Sequence, residues 1–312
     1  MAVTTAPARQ SRRAGRASGR TGVRRYAPLT PYLFLLPFLI LFCGFVLIPA
    51  IFGLWVSFHD YNYLLPGKPW VGLQNYIDLF TPGSRDSGDF WKSMEATGIF
   101  TVFSVPFLII CPLGVALLLN RVFPGRSFFR AVFFAPYVLG VAVVGILFRF
   151  VLDPNIGLVN YYLGHAIPWT TDLPWAWISL IGMTVWWTLG FNAIIYMAGL
   201  QEISPDLYEA ARVDGASRWA EFRAVTLPGL RPVMAFVTTV TILASANMFG
   251  QSFLLTDGAP ANETRTAIMY IAQTGFSNNR QGIAAAMSYI LAVLLLAISV
   301  LNLRLTQQRE GS

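Results

Sequence analysis

The sequence predicts an all-α integral membrane protein with six transmembrane helices and a cytoplasmic two-helix loop between the fourth and fifth. Three observations carry that prediction: an apolar composition, six apolar runs long enough to span a bilayer, and arginines gathered into alternate loops. Of 312 residues, 55% are hydrophobic and 12% charged, against about 25% charged in soluble domains. The formal net charge is +7. Its basic residues lie at the chain ends and in particular loops, with no basic face interleaved with aromatics, so no nucleic-acid partner is expected. Cys43 and Cys111 both lie inside apolar runs and imply neither a disulfide framework nor a metal site.

A spanning helix needs about 20 mostly apolar residues to cross a hydrocarbon core of about 30 Å. Six runs qualify, at 32–57, 96–119, 131–151, 175–199, 232–255 and 284–303. The first is too long for a signal-peptide core and its basic leader too long for an n-region, so it is expected to be retained. Pro37, Pro49, Pro106 and Pro112 fall inside runs. Neighbouring helices can satisfy the carbonyls they free, so kinks are expected there and not ends. Residues 31–306 thus form one membrane domain between a basic tail, 1–30, and a short tail, 307–312. The small, polar, cationic composition of 1–30 predicts disorder and attraction to anionic lipid. The longest extramembrane loop, 58–95, is rich in turn formers, with PGKP at 66–69 and TPGSRDSGD at 81–89.

Orientation follows from the basic residues, because basic loops resist translocation. Seven arginines precede residue 31, and Arg121, Arg126, Arg130, Arg212, Arg218, Arg223, Arg231, Arg304 and Arg309 fall on the same side of the six-span scheme. The other side holds Lys68, Arg85, Lys92, Arg265 and Arg280, with Arg149 at the outer end of the third run. Both termini are therefore expected in the cytoplasm, as an even number of spans requires. His59 and His165 then lie in outer loops without metal-ligand spacing and are expected to be solvated.

The loop after the fourth run reads EAARVDGASRWAEFRAVTLP over 209–228. Ser204 is a good N-cap, with Pro205 at the first helical position and Asp206 in the first turn. That helix is expected to run to Val213, where Asp214 and Gly215 supply a left-handed close. Ser217 can cap a second helix, 217–224, with Trp219 and Phe222 on one face, and Pro228 and Pro232 are expected to stop it. From physics alone, an amphipathic hairpin lying on the headgroups, with Trp219 and Phe222 in the lipid boundary, is the favoured reading of the loop.

EAA at 209–211, two residues, DGA at 214–216, then Phe222, Leu227, Pro228 and Pro232 closely resemble the cytoplasmic EAA loop of permease subunits of binding-protein-dependent ABC transporters. WVGLQNYIDLF at 70–80, GFNAIIYMAGLQEISPDLYEAA at 190–211, NMFGQSFLLTDGAP at 247–260 and GIAAAMSYIL at 282–291 resemble the carbohydrate branch of that family, of the maltose and glycerol-phosphate type. One departure is DGAP, where that branch has a double glycine before the proline. The resemblance implies that the loop, within 204–224, forms coupling helices that dock on an ATPase. Glu209, Ala210, Ala211, Asp214, Gly215, Ala216, Phe222, Leu227 and Pro228 would carry that contact, with Glu209 pairing to a basic residue. It further implies a second homologous permease subunit, commonly giving a heterodimer, two ATPase subunits and an extracytoplasmic sugar-binding protein. ATP and magnesium would sit on the partner subunits and no cofactor on this chain, which would lie in the bacterial cytoplasmic (inner) membrane.

The chain has no G-x-x-x-x-G-K-[ST] loop to cradle ATP phosphates, so a nucleotide would bind elsewhere. The alternative, a secondary carrier or channel for a small polar solute, is expected to place ionisable residues within its spans. Here the span interiors lack Asp, Glu, Lys and His away from their ends. No set of paired carboxylates or of serine and histidine suggests an enzyme. Sugars are recognised by hydrogen bonds and aromatic faces, which points to buried neutral polar residues. In the fifth run Asn247 and Gln251, four apart, share a helical face, with Thr238, Thr241, Ser245 and Ser252 on an adjoining stripe. The fourth run offers Trp186, Trp187, Thr188 and Asn192, and the sixth Ser288 and Tyr289. Each of these can equally serve as a helix-to-helix hydrogen bond, and for Asn192 that is the favoured expectation.

Overall fold

A computed structural model describes residues 30–308 of the chain. Most of the predicted basic tail and the residues 309–312 lie outside that range. The chain divides into two units, residues 1–51 and 52–312. Helix α1 (Tyr32–Ser57) is 26 residues long and apolar enough to span a membrane. Pro37 lies within it and a widened π-turn covers Cys43–Leu47, so the proline does not end it.

The second unit is helical, and its described residues contain no strand beyond an isolated bridge between His59 and Trp70. Its elements are α2 (Gln74–Phe80), α3 (Ser87–Asn120), α4 (Arg126–Val138), α5 (Val141–Val151), α6 (Leu158–Leu163) and α7 (Trp175–Glu202). They are followed by α8 (Pro205–Val213), α9 (Arg218–Gly229), α10 (Arg231–Ala246), α11 (Ala267–Ala272) and α12 (Gln281–Gln308). Four helices, α1, α3, α7 and α12, pass the length and hydropathy requirement for a span. Two further apolar stretches are bent pairs: α4 with α5 at 96° and α9 with α10 at 67°.

Helix α3 shows how sequence sets packing. Ser93, Thr97, Phe100, Ser104 and Leu108 are buried at steps of three or four residues, one face of a 3.6-residue repeat. Val102, Phe103, Phe107 and Ile110 on the other side are exposed. Such a stripe suits lipid or another subunit. The helix starts nine residues before the apolar run because its first turns are fixed by charge. Asp86, Asp89 and Lys92 pair with Arg280, Arg265 and Glu263 at 2.6, 3.0 and 2.8 Å. Hydropathy marks only the apolar part of a helix.

The third run is not one straight helix. Pro136 lies near the end of α4, and Leu139 and Gly140 are extended. Helix α4 ends two residues after Pro136, and the Leu139 carbonyl, left open by the break, accepts from Trp187 Nε1 at 2.9 Å. The fifth run is likewise broken. Helix α10 ends at Ala246, and after three residues the chain turns helical again through Thr256. At that break Asn247 Nδ2 donates to the Leu243 carbonyl at 2.7 Å and Thr266 Oγ1 to the Met248 carbonyl at 2.7 Å. Side chains here replace the backbone ladder.

Helix α4 crosses α7 closely at Gly190, where a Cβ would collide with the Phe133 carbonyl; only glycine permits that approach. Near this crossing Leu113, Ala116, Ala193, Tyr196 and Met197 pack with Leu230 and Val237 into one core. A second core joins Phe100, Val144, Leu180, Met183, Met248 and Leu255. The 34 residues of α3 span about 50 Å at 1.5 Å each, and so separate the bundle's ends. Lys92, Arg265 and Arg280 gather at one end and Arg121, Arg212 and Arg218 at the other.

His59 departs from expectation. It is 7% exposed, Nδ1 lies 2.8 Å from the Trp55 carbonyl, and its ring packs against Trp55 and Trp70. Trp55 at the end of the first run and Trp70, eleven residues beyond His59, close over the ring and remove it from solvent. His165 is exposed.

Candidate functional site

Two features at different levels of the bundle hold the residues singled out by the sequence. The first is the loop between α7 and α10. Ser204 Oγ accepts from the Asp206 N–H and Ser217 Oγ from the Ala220 N–H, both at 3.3 Å. These caps satisfy donors that a helix start leaves open. Helix α8 ends at Val213 and is closed by a Schellman turn. The Ala216 N–H donates to the Ala211 carbonyl at 2.9 Å and the Gly215 N–H to the Arg212 carbonyl at 3.0 Å, with Gly215 at φ +77°.

The second helix runs further than 217–224. A π-turn at Phe222–Thr226 is followed by helix to Gly229, so Pro228 does not stop it. The widened turn absorbs the proline's missing N–H and its ring. The bend falls at Leu230, and Pro232 opens α10. The Arg212 Nε donates to Glu221 Oε1 at 3.1 Å and the Tyr208 and Thr226 hydroxyls lie 3.0 Å apart, locking α8 to α9. Trp219 and Phe222 stack at 5.4 Å.

Glu209, Ala210, Asp214 and Gly215 are exposed, and Ala211, Ala216, Phe222, Leu227 and Pro228 are half-buried. Among the described residues Glu209 has no ion-pair partner. The hairpin thus offers an outward carboxylate beside two alanines that let a partner's backbone approach. On its inner side a cavity of about 690 Å³ separates α8 and α9 from Asn120 and Arg121 at the end of α3.

The second feature is a cavity of about 440 Å³ inside the bundle. It brings together Trp187, Asn192, Asn247 and Gln251 of the sequence candidates, with Thr188, Thr241 and Ser245. Asn247 and Gln251 do not share a helical face, because the helix is interrupted between them; the break turns both into the cavity. Asn192 Nδ2 donates to the Leu108 carbonyl at 3.1 Å, the helix-to-helix bond expected of it, while still lining the wall. Ser288 and Tyr289 are elsewhere. Ser288 lines a separate groove with Gly275 and Ala284, and the Tyr289 hydroxyl packs beside Gly53, since α12 turns that face away from the cavity.

Sequence reasoning missed Thr184, Tyr137 and Phe191, which also line the cavity; the last two rings stack at 4.6 Å. The signal was present in Pro136 and Gly140, which break the third run beside them. Both helix interruptions, at 139–140 and 247–249, border this cavity. Irregular backbone at membrane depth is tolerated where it lines such a space. Among the described residues, no charged side chain lines it. What the walls offer is aromatic faces, hydroxyls, amides and loosened backbone.

Residues 97–309 match the family described as "Binding-protein-dependent transport system inner membrane component", and the chain belongs to that family. It is 31% identical over 282 residues to the "Probable starch degradation products transport system permease protein AmyD" of Thermoanaerobacterium thermosulfurigenes, covering 89% of this chain and 94% of that one. It is 32% identical over 289 residues to the "Arabinooligosaccharides transport system permease protein AraP" of Bacillus subtilis (strain 168), covering 90% of each. In structure it is similar to a chain of a bacterial alginate ABC transporter solved in complex with an alginate pentasaccharide-bound periplasmic protein. That match has a TM-score of 0.76 and 26% identity, and covers 89% of this chain and 94% of that one.

Proposed function

We propose that the chain is a permease subunit of an ABC importer for oligosaccharides. In this reading the cavity at the two helix breaks is part of the translocation path, and the α8–α9 hairpin is the surface on which a partner ATPase acts. The observation that carries the reading is that hairpin: capped at both starts, closed by Gly215, cross-linked internally, and presenting Glu209 outward with no ion-pair partner among the described residues. A rigid lever transmits displacement, whereas a floppy loop would absorb it.

The starch-product and arabinooligosaccharide relatives and the alginate transporter support a saccharide cargo. The lining supports a neutral one, because a uronate carboxylate in a cavity without a basic side chain would lose hydration uncompensated. The hairpin end, with α9, faces the cytoplasm, both termini lie there, and α1, α3, the α4–α5 pair, α7, α10 with the helical turns through Thr256, and α12 make six crossings. A second permease subunit completes the path, two ATPases supply the work, and an extracytoplasmic binding protein delivers the sugar. ATP and magnesium bind to those ATPases.

Proteoliposomes holding the purified complex test the proposal. Uptake of a labelled neutral oligosaccharide should need ATP inside the pathway's ATPase compartment and the binding protein on the opposite face. Uptake by this chain alone, without nucleotide, would replace the reading with that of a secondary carrier.

A further inference from the structure

A second groove near the hairpin end has no part in the function above. It lies between α4 and α7, measures about 380 Å³, and is lined by Leu119, Phe133, Ala193 and Met197, with Arg130 and Gln201 as its polar members. Arg126 and Arg130 stand four residues apart on α4 and so share a face. Neither has a carboxylate partner among the described residues. Nε of Arg126 and Nε and Nη2 of Arg130 are buried without an acceptor among the described residues, although buried donors almost always find one.

The position adds to this imbalance. Helix α4 begins at Arg126 with no acidic residue in its first turn, so Arg126 sits where the helix dipole already disfavours positive charge, with Arg130 one turn further on. An anion lying against the two guanidiniums would relieve the mutual repulsion, the dipole and the orphaned donors together. The groove itself is apolar, and Phe128, Phe129 and Ile194 beside it are exposed. A free anion or an acidic peptide would leave those apolar walls uncovered. A phosphate with an acyl chain matches both halves.

We infer that Arg126 and Arg130 bind the phosphate of an anionic phospholipid of the cytoplasmic leaflet, with an acyl chain lying in the α4–α7 groove. The leaflet rests on the orientation proposed above; the lipid chemistry does not. Basic pockets between helices on the cytoplasmic side are suited to such headgroups. The lipid would fix the short helix α4 against α7 above their crossing at Gly190.

The test uses the full chain in nanodiscs of mixed phosphatidylglycerol and phosphatidylcholine, with retained lipid counted by native mass spectrometry. The wild type should retain phosphatidylglycerol in preference, and Arg126→Gln with Arg130→Gln should lower that preference roughly thirtyfold, about fivefold per arginine. If the double variant does not accumulate, Arg130→Gln alone should show the fivefold step. Arg212→Gln with Arg218→Gln, at the same end of the bundle, should leave the preference unchanged. Equal retention by wild type and variant would overturn the inference, as would an equal loss in the Arg212 and Arg218 control, which would mean general surface attraction. Thermal stabilisation by inorganic phosphate in phosphatidylcholine alone, matching that by phosphatidylglycerol, would assign the site to a free anion. Loss of a copurifying ATPase with lipid preference intact would assign it to a protein carboxylate. Separately, Ser127→Cys labelled from outside intact cells by an impermeant maleimide would overturn the leaflet and the orientation while leaving the lipid preference to stand.

Discussion

Gly215 offers the sharpest test of the hairpin as a lever. It sits at φ +77°, and a Cβ built on it meets nothing within 4 Å. A substitution there is therefore penalised by backbone conformation alone and not by collision. For a non-glycine residue the left-handed region costs about 1–2 kcal/mol, which is roughly a 5- to 30-fold change in an equilibrium constant. Gly215→Ala should therefore lower the fraction of hairpins in docking geometry by that factor and weaken ATPase association correspondingly. The cores of the bundle lie elsewhere, so membrane abundance should hold. Gly215→Asn, whose side chain tolerates this region, should recover most of the loss. Gly215→Asp should abolish transport, because it adds a second carboxylate beside Asp214 on the exposed turn. The assays are an immunoblot of membranes, copurification of the ATPase, and sugar uptake. Wild-type coupling in Gly215→Ala at normal abundance, or a Gly215→Asn variant as impaired as Gly215→Ala, would refute the reasoning from φ.

Other perturbations address the remaining features. Asn247→Ala and Gln251→Ala should each reduce uptake about tenfold, the loss of one hydrogen bond of about 1–1.5 kcal/mol, while Ser288→Ala should leave it unchanged; uptake assays over substrate concentration decide. Uronate-containing oligosaccharides should be poor substrates beside neutral ones of the same length, and efficient uronate transport would contradict the neutral-cavity reading. Arg280→Ala strands Asp86, which is 6% exposed in its side chain. Its cost should be about 2–3 kcal/mol, below that of a fully buried pair because Arg280 is itself partly solvated, and a thermal melt of detergent-solubilised protein would show it. The Tyr270 hydroxyl is pushed up to about 12, by burial first and then by Asp86 and Asp89. Since an unfolded tyrosine titrates near about 10, this contribution to stability is complete below about pH 10 and declines as pH rises toward about 12. Tyr270→Phe should remove that alkaline decline.

Much of this architecture was legible in the sequence. The fourth run, 175–199, and α7 differ by a few residues at one end, because hydropathy and helix coincide there. Ser204, Gly215 and Ser217 do what cap chemistry predicts, since each acts on its own turn. The breaks in the third and fifth runs were not legible from hydropathy, because apolar content does not report backbone continuity. Pro136 and Gly140 held a hint for the first of them. The second depends on Thr266, a partner eighteen residues beyond Met248, and no local pattern reveals it. Ser288 and Tyr289 failed as cavity residues for a related reason: periodicity places them on a face but does not say which neighbour that face meets. The resemblance in the EAA loop carried the functional reading further than periodicity could, and the family match to residues 97–309 agrees with it.

The central claim is that the α8–α9 hairpin passes work from an ATPase to the bundle. Ala210→Cys, on the same exposed face beside Glu209 and probed in membranes with a maleimide that cannot cross the bilayer, tests it most directly. The residue should react only from the cytoplasmic side, and bound ATPase should protect it. Labelling from outside, or labelling indifferent to the ATPase, would contradict the account.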